Sequence, residues 1–106
     1  MPLYFLAILE PKPDRTARLK EICQSVADHV KENEPGVLKY QWFLSGPPEK
    51  PKIYVWEIYK DQEAIENHKK SSKMAWLVEI EQKENNLLSE IQVVPLEEIA
   101  GWAGRD

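Results

Sequence analysis

The chain has 106 residues, 42% of them hydrophobic and 30% charged, with a formal net charge of -4 at pH 7, so it is expected to fold rather than stay disordered. At this length the sequence predicts one domain over residues 1–106. An acidic chain without a run of Lys and Arg argues against nucleic-acid binding. No apolar stretch approaches the roughly 20 residues that span a bilayer, and one cysteine allows no disulfide within the chain. We therefore expect a soluble cytoplasmic protein with no membrane contact.

The first part of the chain predicts a strand, a helix and a second strand. The apolar run Leu3–Leu9 ends at prolines, which is typical of a buried strand. Asp14 can cap a helix in which apolar residues recur with helical spacing over residues 19–30. Pro35 and Gly36 end this helix, since proline cannot continue it and glycine accepts a positive φ. Residues 37–44, rich in aromatic and aliphatic side chains, predict the second strand.

A loop rich in proline precedes the third strand and the second helix. Residues 45–51 form this loop, and residues 53–59 predict the strand. Asp61 can cap the second helix. The serine pair at 71–72 is expected to break or bend that helix before its apolar face continues towards Lys83.

The last predicted strand completes a familiar order of elements. Residues 87–94 predict a fourth strand ended by Pro95, and residues 96–102 predict a short turn or edge segment. The order βαββαβ predicts an α+β, ferredoxin-like domain with a four-stranded antiparallel sheet and its helices on one face. Because the other face needs a cover, we expect two copies to pack sheet to sheet as a dimeric α/β barrel.

The third predicted strand has two chemically different faces, because side chains alternate along a strand. One face is uniformly large and apolar: Tyr54, Trp56 and Ile58. The other face carries a carboxylate and a phenol: Ile53, Val55, Glu57 and Tyr59. We expect the first face to pack under the helices. The second face would then lie on the opposite side of the sheet, where the barrel would enclose a cavity.

Two polar side chains of this strand are candidate site residues. A buried carboxylate needs a hydrogen bond, an ion pair or a proton, so Glu57 is either a structural ion-pair or dimer contact or a site carboxylate with a raised pKa. Tyr59 projects to the same side and can donate a hydrogen bond to a substrate oxygen or close the end of the barrel. Tyr40 and Trp42 share one face of the second strand, but alternation does not show whether that face meets the cavity.

His68 lies near the apolar side of the second helix, together with Ala64 and Ile65. A histidine in such a place more often serves structure than catalysis. An imidazole beside a pocket is nevertheless the natural general base at neutral pH. If the protein transfers protons, His68 is the leading candidate.

Two segments of the sequence resemble the antibiotic biosynthesis monooxygenase (ABM) family. Residues 34–40 read EPGVLKY, which is similar to the family's EPG…Y segment, and residues 54–68 read YVWEIYKDQEAIENH, which is similar to its E-x-Y-x-D-x-x-A-x-x-x-H stretch. The resemblance implies a homodimer with a pocket between sheet and helices in each subunit. It also implies cofactor-independent oxygenation, by dioxygen, of a small aromatic, quinol or polyketide-like substrate in secondary metabolism, with no metal and no flavin.

Under this resemblance, the expected site combines catalytic and wall residues. The catalytic candidates are His68 and Glu57. The candidates for substrate contact are Tyr40, Trp42, Val55, Tyr59, Ile65 and Trp76. The chain also departs from the family's patterns, because Lys73 stands where many members carry a second histidine, and Val55 and Tyr59 stand where quinone-forming members carry asparagine and tryptophan. The first strand has no asparagine of the kind that haem-degrading members use, so haem breakdown is not expected.

Two other functions remain open at this level. A cofactor-free isomerase, decarboxylase or cyclase would use His68 and Glu57 for proton transfer without oxygen. A non-catalytic dimer that binds a small molecule would use the same two side chains for structure.

Overall fold

A computed structural model of the chain describes residues 1–105. Within them the strands are β1 (Leu3–Leu9), β2 (Val37–Ser45), β3 (Lys52–Tyr59) and β4 (Gln92–Leu96). The helices of the same residues are α1 (Thr16–Asn33), α2 (Gln62–Lys70) and α3 (Ser72–Glu84), with a short 3-10 turn at Pro13–Arg15 before α1.

The four strands of the described chain form one sheet in the order β2-β3-β1-β4, and every neighbouring pair is antiparallel. This is the ferredoxin-like α+β arrangement that the sequence predicts. The second helical segment is divided into α2 and α3, as the serine pair indicates. Asp61 Oδ1 accepts from the backbone N–H of Ala64 at 2.9 Å and begins α2. Ser71 has an extended backbone, and its Oγ accepts from the N–H of Met74 at 3.2 Å, so it caps α3.

The start of α1 differs from the prediction. Asp14 lies inside the 3-10 turn, and α1 begins at Thr16 with Arg15 as its N-cap, which makes no capping hydrogen bond through its side chain to any described residue. The helical path begins at Pro13 because proline is well suited to the first helical position. Asp14 therefore lies two residues after Lys12, the N-cap of the 3-10 turn, and does not act as the cap.

The fourth strand also lies further along the chain than predicted. Asn85 takes the left-handed conformation at φ 53° and ends α3. The carboxylate of Glu81 then accepts from the backbone N–H groups of Asn86 and Leu87 at 3.0 and 3.1 Å, which holds this segment to the helix. As a result β4 covers Gln92–Leu96 and includes Pro95, which an edge strand tolerates because one of its sides is unpaired.

The two faces of β3 are reversed relative to the sequence prediction. The buried face is Ile53, Val55, Glu57 and Tyr59, and it lies under the helices. The face with Tyr54, Trp56 and Ile58 is half-buried and lies on the other side of the sheet. Short β-branched side chains on the inner face let the apolar stripe of α1 approach the sheet closely. Large apolar side chains do not by themselves indicate the helix side, because an apolar face can equally meet a second molecule.

Strand register orients β2. Tyr40 pairs with Glu57 and Trp42 with Val55, so both aromatic side chains lie on the helix side of the sheet. The register shifts between Val37 and Lys39.

The helices cover the sheet unevenly. The segments α1 and α2 contact the β2 and β3 side, whereas α3 rests mainly against α1 and α2. Space therefore remains between α3 and the β1 and β4 side of the sheet. The candidate site occupies this space.

Glycine at position 36 serves close packing. Its φ is not among the positive values in the chain, contrary to the sequence prediction. A Cβ on Gly36 would lie 2.7 Å from the Cβ of Ala64, so the absence of a side chain lets α2 pack against the turn between α1 and β2.

Candidate active site

A cavity of about 460 Å³ lies between the sheet and the helices α2 and α3, and we call it the central cavity. Its size falls in the range of small-molecule sites, which is roughly 300–1,000 Å³. Most of its wall is aromatic or aliphatic. Its charged or titratable lining side chains are Tyr40, Glu57, Tyr59, His68 and Lys69.

Glu57 and Tyr59 form a buried hydrogen-bonded pair at one wall. The Tyr59 hydroxyl donates to Glu57 Oε1 at 2.5 Å. Burial raises the pKa of Glu57 above its ordinary value, although the hydrogen bond from Tyr59 and the nearby His68 act in the opposite direction. Burial, and then the charge of Glu57, raise the pKa of Tyr59, so this phenol stays protonated and remains a donor.

Glu34 and His68 form a second buried pair. Glu34 follows the last residue of α1, and His68 lies on α2, yet Glu34 Oε1 and His68 Nδ1 are 2.7 Å apart with about a tenth of each side chain exposed. When Glu34 is ionised it can only accept, and Nδ1 then carries the proton of this hydrogen bond. In the neutral imidazole, Nε2 is then an unprotonated acceptor. Such a carboxylate–imidazole arrangement fixes the tautomer that a general base needs.

Aromatic rings hold the imidazole in place. The ring of Tyr40 lies 5.4 Å from that of His68, and the ring of Tyr59 lies 5.5 Å from it, both in edge-to-face geometry. Trp42 packs against Tyr40 at 5.9 Å, and Phe5 packs against Tyr59 at 5.8 Å. Burial raises the pKa of Tyr40, so both phenols beside the imidazole are neutral.

The structure brings seven of the eight sequence-predicted site residues to the central cavity. They are Tyr40, Trp42, Val55, Glu57, Tyr59, Ile65 and His68. Trp76 is the exception, since it does not belong to the lining and instead lies under the Lys73 ammonium, 3.9 Å from the ring centroid. Met74 and Leu77, three residues apart on one face of α3, occupy the wall where Trp76 was expected.

Several residues of the site were not anticipated from the sequence. The further lining residues are Phe5, Ala7, Leu9, Lys69, Met74, Leu77, Ile91 and Val93. Glu34 was noticed as part of the EPG segment, but its pairing with His68 was not foreseen. The signal that could have found it is the joint occurrence of this segment and the histidine in one family pattern.

Two buried polar atoms at the site have no hydrogen-bond partner among residues 1–105. They are Glu34 Oε2 and Trp42 Nε1. No group of three or more His, Cys, Asp or Glu side chains in the described chain is arranged to hold a metal ion. Within the same residues, no helix has the length and apolar character needed to cross a membrane.

The fold and the cavity define a class of protein, the ferredoxin-like α+β domains that hold a pocket between an antiparallel sheet and its helices. The family model for antibiotic biosynthesis monooxygenases matches residues 2–79. This match covers most of the chain. The protein therefore belongs to the ABM family.

Solved structures share this fold. A protein from Caulobacter crescentus, named as a candidate antibiotic biosynthesis monooxygenase, is 22% identical, with a TM-score of 0.78 over 93% of this chain and 91% of that one. A protein from Mycobacterium tuberculosis is 19% identical, with a TM-score of 0.77 over 97% and 100% of the two chains. A protein from Pseudomonas aeruginosa is 19% identical, with a TM-score of 0.78 over 93% and 95%. At these identities the likeness shows the fold. The search of curated proteins found no match.

Proposed function

We propose that this protein is a cofactor-independent monooxygenase that acts on a small electron-rich aromatic, quinol or polyketide-like substrate. Its membership of the ABM family supports the general type of activity. The observation that carries the proposal is the Glu34–His68 pair, in which a buried carboxylate orients an imidazole beside a largely apolar cavity. A base in this setting can ionise a phenol or an activated C–H group.

The wall of the central cavity suits an aromatic ring. Trp42, Val55 and Ile65 supply apolar contact surface. Glu57 and Tyr59 supply the polar contacts that would orient the oxygen atoms of the substrate. A ring held there would lie beside His68, which lines the same cavity.

His68 acts first, as the general base. In a substrate such as anthrone, Nε2 removes a proton from the activated CH₂ group, and Glu34 stabilises the imidazolium through Nδ1. The resulting carbanion passes electrons to dioxygen, and a C–O bond forms to give a peroxide anion. Glu57, in its protonated form, then donates a proton to the peroxide.

The second half of the reaction returns both protons. The Glu57 carboxylate removes the remaining hydrogen from the same carbon as a proton, the O–O bond breaks, and a carbonyl forms. The departing hydroxide takes the proton from His68 and leaves as water. One CH₂ group and one dioxygen thus give one carbonyl and one water, and the substrate itself supplies all the electrons.

A homodimer completes the proposal. The uncovered face of the sheet carries large apolar side chains on its two central strands: Tyr4, Leu6, Ile8, Tyr54, Trp56 and Ile58. An antiparallel sheet with such a face is normally covered by another layer. A second copy of the same chain would cover it by sheet-to-sheet packing.

Dioxygen uptake by metal-free protein tests the activity. Anthrone and a panel of hydroquinones are the substrates, and the rate without protein is subtracted. We expect His68→Gln to lower the rate by about a hundredfold or more, as for loss of a general base. His29→Gln is the matched control, because His29 bonds to Asn33 on the same helix and lies outside the central cavity. Uptake that equals the background across the panel would contradict the proposal.

Proton transfer without oxygen is the second candidate function, and the same Glu34–His68 pair favours it. An isomerase, decarboxylase or cyclase would turn over its substrate with the same dependence on His68 in the absence of air. Anaerobic turnover of a substrate panel distinguishes the two functions.

A further inference from the structure

A second apolar cavity of about 540 Å³ adjoins the central cavity, and we call it the outer cavity. Its apolar wall comes from α1, α3 and the segment that follows α3, and it includes Leu19, Ile22, Val78, Ile80, Leu87 and Leu88. The α3 residues that line this cavity lie between Leu77 and Gln82, in the second half of the helix.

The two cavities share part of their walls. Leu9, Leu77 and Ile91 line both of them. Residues common to two cavities lie between them, so these three side chains form the boundary that a ligand occupying both cavities would pass. Leu9 is buried, but Ile91 is 39% exposed and lies outside regular secondary structure, so its side chain can move without disturbing the core.

The composition of α3 points to an occupant. The apolar side chains of α3 are not confined to one face of the helix. Among the described residues of this helix, none is fully buried. Val78 lines the outer cavity and is 58% exposed. Solvent-exposed aliphatic surface beside a cavity that holds the reacting groups is what an apolar extension of a ligand would cover.

The charged residues of the outer cavity limit which chemical kind of substrate extension it can bind. The charged residues of the outer wall are Glu81 and Glu90, and no Lys or Arg occurs among its described lining residues. Glu81 is already engaged by two backbone N–H groups. An extension that ends in a carboxylate would therefore meet repulsion, whereas a neutral hydrocarbon would not.

We propose that the outer cavity binds a neutral aliphatic or isoprenoid tail of the substrate, while the ring of that substrate occupies the central cavity. This inference rests on the proposed function for the ring site and specifies its substrate class as a tailed phenol or quinol. The three shared residues, with Leu77 on α3 among them, surround the point where ring and tail join.

Binding of 4-alkylphenols in the absence of dioxygen tests the tail site without turnover. Titration calorimetry on the purified protein follows affinity from the methyl to the octyl compound. We expect about a fourfold gain in affinity for each added methylene once the chain enters the outer cavity. A tail of equal length that ends in a carboxylate should lose most of this gain.

Two matched variants show whether the outer cavity is the source of the gain in affinity. Val78→Glu places a charge in the outer cavity and should weaken binding of the octyl compound at least tenfold while the methyl compound binds as before. Ile99→Glu makes the same change at a position that is 90% exposed and outside both cavities, and it should leave both affinities unchanged.

Each outcome decides the inference. The tail site would be overturned by affinity that does not grow with chain length, or by equal effects of Val78→Glu and Ile99→Glu. If no phenol binds at all, both the tail site and the ring site are overturned. Chain-length-dependent binding without dioxygen uptake on alkylhydroquinones would uphold the tail site and contradict the monooxygenase. Uptake that is equal for methyl- and octylhydroquinone would uphold the monooxygenase and contradict the tail site.

Discussion

The pairing of Glu34 with His68 joins two elements that are far apart in the chain. Both side chains are about nine-tenths buried, and one short hydrogen bond connects them. A buried pair of this kind is costly to break on one side, because the remaining charge has lost both its partner and its water.

The variant His68→Ala should show how much stability is lost when one partner of this buried pair is removed. The change leaves the Glu34 carboxylate buried without its partner, so we expect the free energy of unfolding to fall by about 3 kcal/mol. Adding Glu34→Gln to His68→Ala removes the stranded charge and should recover part of the loss. Urea denaturation measures both, with Glu32→Gln, at an exposed position in the last turn of α1, as the control. Absence of any recovery in the double variant would show that the two side chains do not interact.

Glu57 predicts a dependence of stability on pH. Its pKa is raised in the folded protein, so the folded state keeps a proton that the unfolded chain releases above pH 4.5. This contribution is complete below the pKa of the unfolded group and is lost as the pH rises through the pKa of the folded group. Relative to Glu57→Gln, whose amide oxygen can still accept from Tyr59, the wild type should lose unfolding free energy over that range. Denaturation curves of the two proteins that stay parallel at every pH would contradict it.

The sequence predicted seven of the residues that line the central cavity by their chemistry, but not their partners. Glu57 and Tyr59 were recognisable because a carboxylate and a phenol recur two residues apart on an apolar strand. The pairing of His68 with Glu34 was not, because it depends on how α2 lies against the end of α1. Trp76 was misplaced because the orientation of α3 around its axis depends on packing with α1 and α2.

At the scale of elements, the turn between α1 and β2 positions the site. The turn ends at Gly36, against which Ala64 of α2 packs closely. Glu34 belongs to this turn, and His68 lies one helical turn beyond Ala64. The separation of Glu34 and His68 is therefore set by the approach of α2 to position 36.

The variant Gly36→Ala should displace α2 from the turn between α1 and β2. The new Cβ would meet the Cβ of Ala64 at 2.7 Å, so we expect a loss of about 1–3 kcal/mol in unfolding free energy and a fall in turnover. Adding Ala64→Gly restores the space and should recover turnover, although glycine inside a helix costs about 1 kcal/mol. Chemical denaturation and dioxygen uptake measure the two effects. Turnover that Gly36→Ala leaves unchanged would show that this contact does not position the pair.

The order of elements followed from local patterns, whereas the two faces of β3 and the starts of α1 and β4 did not. Strand and helix periods, the cap at Asp61 and the break at Ser71 are encoded within a few residues. The helix side of β3 depends on which face α1 can approach closely. The start of β4 depends on the hold of Glu81 on the segment after α3, which sequence spacing does not reveal.

At the scale of the whole molecule, the uncovered face of the sheet predicts association. We expect the purified protein to be a dimer at micromolar concentration and Leu6→Asp to convert it to a monomer, because the charge would lie in the apolar interface. Leu44→Asp is the control, since Leu44 is exposed on the helix side of the same sheet. Analytical ultracentrifugation measures both variants. A wild-type protein that stays monomeric would remove the sheet-to-sheet dimer.

The central claim is that this chain's own side chains let a bound aromatic react directly with dioxygen. Turnover of anthrone by metal-free protein under ¹⁸O₂ tests it most directly, with mass spectrometry of the product and subtraction of the reaction without protein. The account predicts one ¹⁸O atom in each new carbonyl group, at a rate that falls with His68→Gln and not with His29→Gln. Product without the label, or formed at the same rate with both variants, would contradict it.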